Sequence, residues 1–160
     1  MVLFAIDVAA RRVEILGLHA QPNGPWMEQI ARNVSGEGDF LAGKKYLIHD
    51  RDPLYTAKFA SILKAAGVQP VKLPPRSPNL NSHAERFVRS VREEGLDHLI
   101  LSSEEQLRYV LTEYLQYYHH ERIHQGLNNT IDPQHDGHRG EIICIARLGG
   151  LLRSYHRKAA

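Results

Sequence analysis

Apolar positions along the chain fall into short runs parted by turn-forming residues, the pattern of alternating strands and helices. Val2-Leu3-Phe4-Ala5-Ile6 is a continuous apolar run of strand length. Ala9-Ala10-Arg11-Arg12 separates it from Val13-Glu14-Ile15-Leu16-Gly17-Leu18, where apolar and other residues partly alternate. Together they predict a hairpin with one buried and one partly wet strand. Pro22-Asn23-Gly24-Pro25 breaks the pattern, and Trp26, Ile30 and Val34 then recur every four residues. This spacing predicts a short helix opened by proline and closed by Gly36 and Gly38. Lys44 to Asp50 is a further compact strand, and Phe59, Ile62, Leu63 and Ala66 mark one face of a helix ending at Gly67. Val68 to Leu73 gives another strand. Strand, helix, strand is a parallel crossover, and joined to the opening hairpin it predicts a mixed sheet in an α/β fold.

Three prolines in Pro74-Pro75-Arg76-Ser77-Pro78-Asn79 predict a loop, since proline lacks the N–H that a ladder or helix interior needs. Helices are expected over Ser82 to Gly95, with Ala84, Val88, Val91 and Gly95 on the inward stripe, and over Ser103 to Tyr118, with Leu107, Leu111 and Leu115 repeating. Gln125 to Gly140 is rich in Asn, Asp, Gly and His without periodicity and reads as a long irregular connection. Ile142 to Ile145 suits a last short strand. Leu148-Gly149-Gly150-Leu151-Leu152, followed by Arg153, His156, Arg157 and Lys158, reads as a small apolar anchor with a basic tail.

Composition narrows the classes. With 160 residues, 42% hydrophobic and 24% charged, the chain has the makeup of a folded domain rather than a disordered one. Lys and Arg number 20 against 18 acids, a mild basicity compatible with a polyanionic partner. Cys144 is the single cysteine, which excludes an internal disulfide framework, paired-cysteine zinc fingers and iron–sulfur clusters, and suits a reducing cytoplasmic setting. The longest apolar runs are five residues, Val2 to Ile6 and Ile142 to Ala146, far below the roughly 18 of a membrane span. The amino terminus meets Asp7 too soon for a secretory apolar region, so no export signal is expected.

Candidate chemistry lies in three carboxylates. Asp7 and Asp50 each follow an apolar strand at its carboxyl end, where ligands gather in crossover sheets. The ordinary role of such an aspartate is to start a turn. Glu85 falls in the first turn of the helix after the prolines, where its ordinary role is to complement the helix dipole. Three acids on one edge would repel unless hard divalent cations neutralised them, which points to Mg2+ or Mn2+. Two such ions about 3.5–4 Å apart activate a hydroxyl against a phosphodiester and stabilise the leaving oxygen.

Three strings carry a resemblance: Phe4-Ala5-Ile6-Asp7 with Arg11-Arg12-Val13; Ile48-His49-Asp50-Arg51-Asp52; and Ser77-Pro78-Asn79-Leu80-Asn81-Ser82-His83-Ala84-Glu85-Arg86-Phe87. The sequence resembles the catalytic core of retroviral-type integrases and related bacterial insertion-sequence transposases, the polynucleotidyl transferases with an Asp, Asp, Glu triad. Asp50 and Glu85 stand 35 positions apart, close to that family's spacing. Tyr117 to Leu127 is similar to the tract after the core of the bacterial enzymes. Asp52 competes with Asp50 for the second place, but Asp50 ends the apolar strand whereas Asp52 precedes Pro53 and reads as a turn residue.

The resemblance implies a ribonuclease H-like fold, a five-stranded mixed sheet flanked by helices. Residues 1–133 would form the core and residues 134–160 a carboxyl-terminal extension with the basic tail. It further implies Asp7, Asp50 and Glu85 as catalytic metal ligands, a pair of Mg2+ or Mn2+ ions, and DNA strand transfer between mobile-element ends and target DNA by a homo-oligomer, at least a dimer. The amino-terminal His/Cys zinc module of retroviral integrases and the helix-turn-helix domains of the transposases are expected to be absent, because the first strand begins at Val2. Arg89 and Arg92 follow Glu85 at i+4 and i+7, and with Arg76, Lys58 and Lys64 they are candidates for contacting DNA phosphates. Two alternatives stand beside strand transfer: a ribonuclease H-type nuclease, and a catalytically silent relic that binds DNA or assembles.

Overall fold

In the computed structural model, which describes residues 1–75, 78–122 and 141–157, the opening apolar run forms strand β1 (Val2–Asp7). It pairs antiparallel with β2 (Arg12–Leu18), from Val2 against Leu18 to Asp7 against Arg12. The chain reverses through Val8 to Arg11, with Arg11 at φ 56°, a left-handed conformation uncommon for a residue with a side chain. Helix α1 (Gly24–Val34) follows. The Oδ1 of Asn23 accepts the Trp26 N–H at 3.0 Å and caps its first turn, and Pro25 supplies a preset φ there.

The remaining strands of this half complete the expected crossover. β3 (Tyr46–His49) and β4 (Gln69–Lys72) pair in parallel, Tyr46 opposite Gln69 and His49 opposite Lys72, with helix α2 (Ala57–Ala65) between them in sequence. Thr56 caps α2 through its hydroxyl, 3.2 Å from the Phe59 nitrogen. Gly67, at φ 83°, lets the chain leave the helix in the left-handed region. Met27, Ile30, Ala31 and Val34 of α1 pack with Leu41, Phe59, Leu63 and Val68 into the core of this half. β2 approaches α1 so closely that a Cβ on Gly17 would lie 2.7 Å from the Trp26 ring and 2.8 Å from Ile30.

Two compact units are present, Met1–Glu85 and Arg86–Ala160. Helix α3 (Ser82–Glu94) begins at the end of the first, after a 3-10 turn over Pro78–Asn81. In the second unit α3 is followed by α4 (Glu104–His120), capped by Ser103, and then by β5 (Ile142–Arg147) and β6 (Leu152–Arg157). Phe87 is buried with its ring 6.2 Å from Tyr114 and 5.2 Å from Tyr118, and Val91, Val110, Leu111 and Leu152 are buried as well. Two carboxylates tie the unit. Glu94 accepts hydrogen bonds from Arg122 at 2.7 Å and from the Tyr114 hydroxyl at 3.1 Å, and Glu121 accepts from Arg147 at 2.7 Å and from Ser154 at 2.8 Å.

Three expectations change. The α/β class stands, but each ladder among the described residues holds two strands, β1–β2, β3–β4 and β5–β6, rather than five in one sheet. Tyr46 and Ile48 of β3 consequently stay more than half exposed. On α3 the buried residues are Phe87, Ser90 and Val91; of the expected stripe Val91 and Gly95 are buried, Ala84 is half-buried and Val88 is exposed, as burial centres on the Phe87 ring seated against two tyrosines. The last segment is a full hairpin instead of a lone strand and a tail. Leu148, Gly149 and Gly150 all take positive φ and turn β5 back on β6. The expected 133/134 boundary lies outside the described residues.

Replacing Gly17 by Ala should overpack the β2–α1 contact and destabilise the chain by about 1–3 kcal/mol. Urea unfolding should show a lower midpoint at unchanged slope; an unchanged midpoint would mean that the two backbones can part without cost.

Candidate functional site

Asp7 closes β1 as its sequence position requires, and its carboxylate is fully engaged. One oxygen accepts the backbone N–H groups of Ala9 at 3.0 Å and Ala10 at 3.3 Å, the signature of an aspartate that starts a turn. The other carries the Lys44 ammonium. The Lys44 hydrogen bond, then the Ala10 N–H, hold the carboxyl of Asp7 below the usual aspartate range against the opposing effect of burial. Asp7, Arg12, Glu14, Asp39 and Lys44 line a groove of about 510 Å3 in which acids and bases alternate.

Asp50 follows β3 directly and is exposed. Its Oδ1 accepts the Asp52 N–H at 3.0 Å, and Asp52 in turn accepts the Leu54 N–H at 2.8 Å, so two successive aspartate turns shape this loop. Arg51 pins it by donating to the Leu73 carbonyl at 3.2 Å, next to the end of β4. Tyr55 lies against His49, the ring centroids 4.3 Å apart and the planes tilted by 34°. Burial, then the charges of Asp50 and Asp52, push its hydroxyl up to about 12.

Glu85 stands exposed in the first turn of α3, where the dipole favours an anion. Two residues earlier His83 receives the guanidinium of Arg11, with one Arg11 nitrogen 3.1 Å from Nε2. That contact links the turn after Asp7 to the start of the Glu85 helix across 72 positions of sequence. Sequence reading missed both this pair and Lys44; no local pattern marks either.

Of the basic candidates, Arg89 and Arg92 are exposed on α3 with Glu85, and Arg92 lies 3.5 Å from Asp97. Lys64 is exposed in the last turn of α2, and Lys58 pairs with Glu28 at 3.0 Å. Arg76 and the His124-Gln125-Gly126-Leu127 tract lie outside the described residues.

Three carboxylates are the right donors for a hard divalent cation. Their placement here does not present all three to one ion: no group of three His, Cys, Asp or Glu among the described residues is close enough to hold a metal. Lys44 lies on the amino-terminal side of β3 and Asp50 at its carboxyl end, six residues or about 20 Å of extended chain apart. The residue bonded to Asp7 is therefore at the wrong end of β3 to bring Asp50 to it.

Residues 66–131 match a family model described as an integrase core domain. The resemblance read from the motifs holds over that stretch, which contains Glu85 with its flanking Asn81 to Phe87 and all of α4. Asp7 and Asp50 precede it. No curated protein matches the chain. No helix among the described residues is long and apolar enough to cross a membrane.

Lys44→Met should remove the largest cause of the lowered Asp7 pKa. Because the folded value lies below the unfolded value near 3.9, the stabilisation is complete above that pH and is lost as pH falls through the folded value. With Lys44 side chain 42% exposed, the variant should lose only about 0.2–1 kcal/mol at pH 7. The difference in thermal midpoint between the two proteins should narrow as pH falls below the unfolded value; a gap that stays constant on acidification would show that the Lys44 stem, not its charge, matters.

Proposed function

We propose that this chain, of integrase-core sequence over residues 66–131, is the catalytic core of a DNA strand-transfer enzyme, with Asp7, Asp50 and Glu85 as its acidic residues. The family match carries the reading, because it covers Glu85 within the very motif that suggested it. In this reading residues 1–133 are the core and 134–160 an extension. Asp50 and Asp52 each hold a backbone N–H of their loop, and Asp50 is preferred because it directly follows β3 and stands 35 positions before Glu85.

The chemistry needs Asp7 and Asp50 on one edge. Antiparallel β1–β2 and parallel β3–β4 are pairings that a ribonuclease H-like mixed sheet contains. If β1 lay parallel beside β3, the two strands would end together and bring both aspartates to that edge. Such pairing would also cover part of the exposed Tyr46 and Ile48 surface. It is incompatible with the Lys44–Asp7 bond, since Lys44 would then lie at the opposite end of the pair. The active arrangement therefore requires Asp7 to exchange Lys44 for another cation.

Asp7, Asp50 and Glu85 would hold Mg2+ or Mn2+, and a pair of such ions would supply activation of a water or DNA terminal hydroxyl and stabilisation of the leaving oxygen. Arg76, Arg89, Arg92, Lys58 and Lys64 would position the phosphate backbone without reading sequence. The DNA partners in this reading are mobile-element ends and their target, handled by at least a dimer. A second reading, a silent relic that binds DNA, is favoured by the internal cation that already satisfies Asp7.

Short DNA duplexes with Mg2+ or Mn2+ test both. Metal-dependent nicking or strand transfer should fall about 1,000-fold or more in Asp50→Asn and Glu85→Gln and less than about 10-fold in Asp52→Asn. Undiminished products from Glu85→Gln would overturn the triad; a folded native chain that binds DNA and leaves it intact would establish the relic.

A further inference from the structure

The loop before β3 delivers a cation to Asp7 while its own backbone is tied on both sides. Leu41 is buried in the core, and its N–H donates to the Val34 carbonyl at 2.9 Å. The Lys45 carbonyl accepts the Gln69 N–H at 2.9 Å, where β3 and β4 begin to pair. Between these anchors Gly43 turns the chain at φ 71°, in the left-handed region, and Lys44 follows. The Lys44 side chain is 42% exposed, and its ammonium lies on Oδ2 of Asp7. Withdrawing that ammonium takes rotation about side-chain bonds and leaves the anchors intact.

Asp7 is divided between two kinds of partner. Oδ1 takes the Ala9 and Ala10 N–H groups of its turn, which hold the carboxylate in place, and Oδ2 takes Lys44. The lone pairs that accept an ammonium are those a hard divalent cation uses, and two cations within about 4 Å repel, so one oxygen serves one or the other. The surrounding groove is lined by the carboxylates of Asp7, Glu14 and Asp39 against Arg12 and Lys44. Arg12 pairs with Glu14 at 3.7 Å. The lining thus has one negative charge in excess with Lys44 in place and two once its ammonium withdraws, matching the charge of Mg2+ or Mn2+.

We propose that Lys44 is a built-in competitor of the divalent cation at Asp7, an internal counter-ion that occupies the carboxylate whenever metal does not. The inference rests on the reading that Asp7 is a metal ligand, and adds to it a residue that regulates metal occupancy. The Lys44–Asp7 pair lies outside the integrase-core match, and Lys44 is none of the basic residues assigned to DNA. Because the ammonium is partly solvated, the competition is mild: abolishing it should tighten metal binding about 2- to 5-fold, the equivalent of an exposed ion pair.

Mn2+ titrations of the full chain test this by two readouts that need neither DNA nor turnover. Free Mn2+ followed by electron paramagnetic resonance gives the affinity, and broadening of the Ala9 and Ala10 amide signals by the bound ion reports occupancy at Asp7. Lys44→Met should bind about 2- to 5-fold tighter than the native chain and show the broadening at correspondingly lower Mn2+. Lys44→Arg, which keeps a cation, should bind like the native chain. In an Asp7→Asn background Lys44→Met should change nothing, because no carboxylate is left to contest.

Native affinity in Lys44→Met would overturn the competition, as would an equal gain in the Asp7→Asn background, which would reduce Lys44 to a general contribution to surface potential. Metal-dependent strand transfer beside either result would leave the strand-transfer reading standing. A gain at Asp7 in a chain that neither nicks nor joins DNA would keep the competition and overturn that reading. Broadening absent from Ala9 and Ala10 at saturating Mn2+ would overturn both.

Discussion

The Lys44 ammonium lies on the carboxylate of Asp7, and the polar arrangement of the first unit follows from that contact. A carboxylate at the end of an apolar strand, its side chain only 17% exposed, loses much of its hydration and needs compensation. Two amides of its own turn supply part. The rest comes from a cation 37 residues away, which draws the chain before β3 to the end of β1 and lines the groove with Asp39, Glu14 and Arg12. An edge shared by Asp7 and Asp50 would repel itself, and one internal cation relieves the repulsion at Asp7 alone, leaving Asp50 to a turn of its own.

The second unit solves its electrostatics differently. Glu94 and Arg122 are each roughly a quarter exposed and bonded at 2.7 Å, and Tyr114, fully buried, donates its hydroxyl to Glu94. Burial first, then the Glu94 charge, push the Tyr114 hydroxyl well above its ordinary range, so the ring stays a neutral donor. Arg147 repeats the device with Glu113 and Glu121. Paired charges of this kind mainly penalise alternatives, since a packing that left one partner alone would be costly. They fix the α3–α4 contact and the orientation of the β5–β6 ribbon, and so decide which side of that ribbon faces outward.

Much of the fold was legible because it is local. The opening hairpin, the proline-opened α1, the α2 crossover to β4 and the α4 helix all arise from periodicity and caps within a few residues. The helix start at Glu85 was legible as well, since the string around it is contiguous. On α3 the stripe holds at Val91 and Gly95 but not at Val88, because periodicity gives no weight to a single ring; Phe87 meets Tyr114 and Tyr118, which are distant in sequence. The last hairpin was obscured by Leu148-Gly149-Gly150, whose apolar look hides a left-handed turn.

The sequence by itself determined most of the elements, the last hairpin excepted, that the fold is α/β, that Asp7 and Asp50 end strands and that Glu85 opens a helix. Those are properties of short segments, set by hydrophobic period, proline and glycine. Only the tertiary structure decided what each carboxylate touches: Lys44 for Asp7, a turn amide for Asp50, and the Arg11–His83 contact beside Glu85. Partners of a charge are chosen by proximity in space, where Coulomb energy falls with distance and desolvation with exposure, and neither quantity is written in the spacing of residues along the chain.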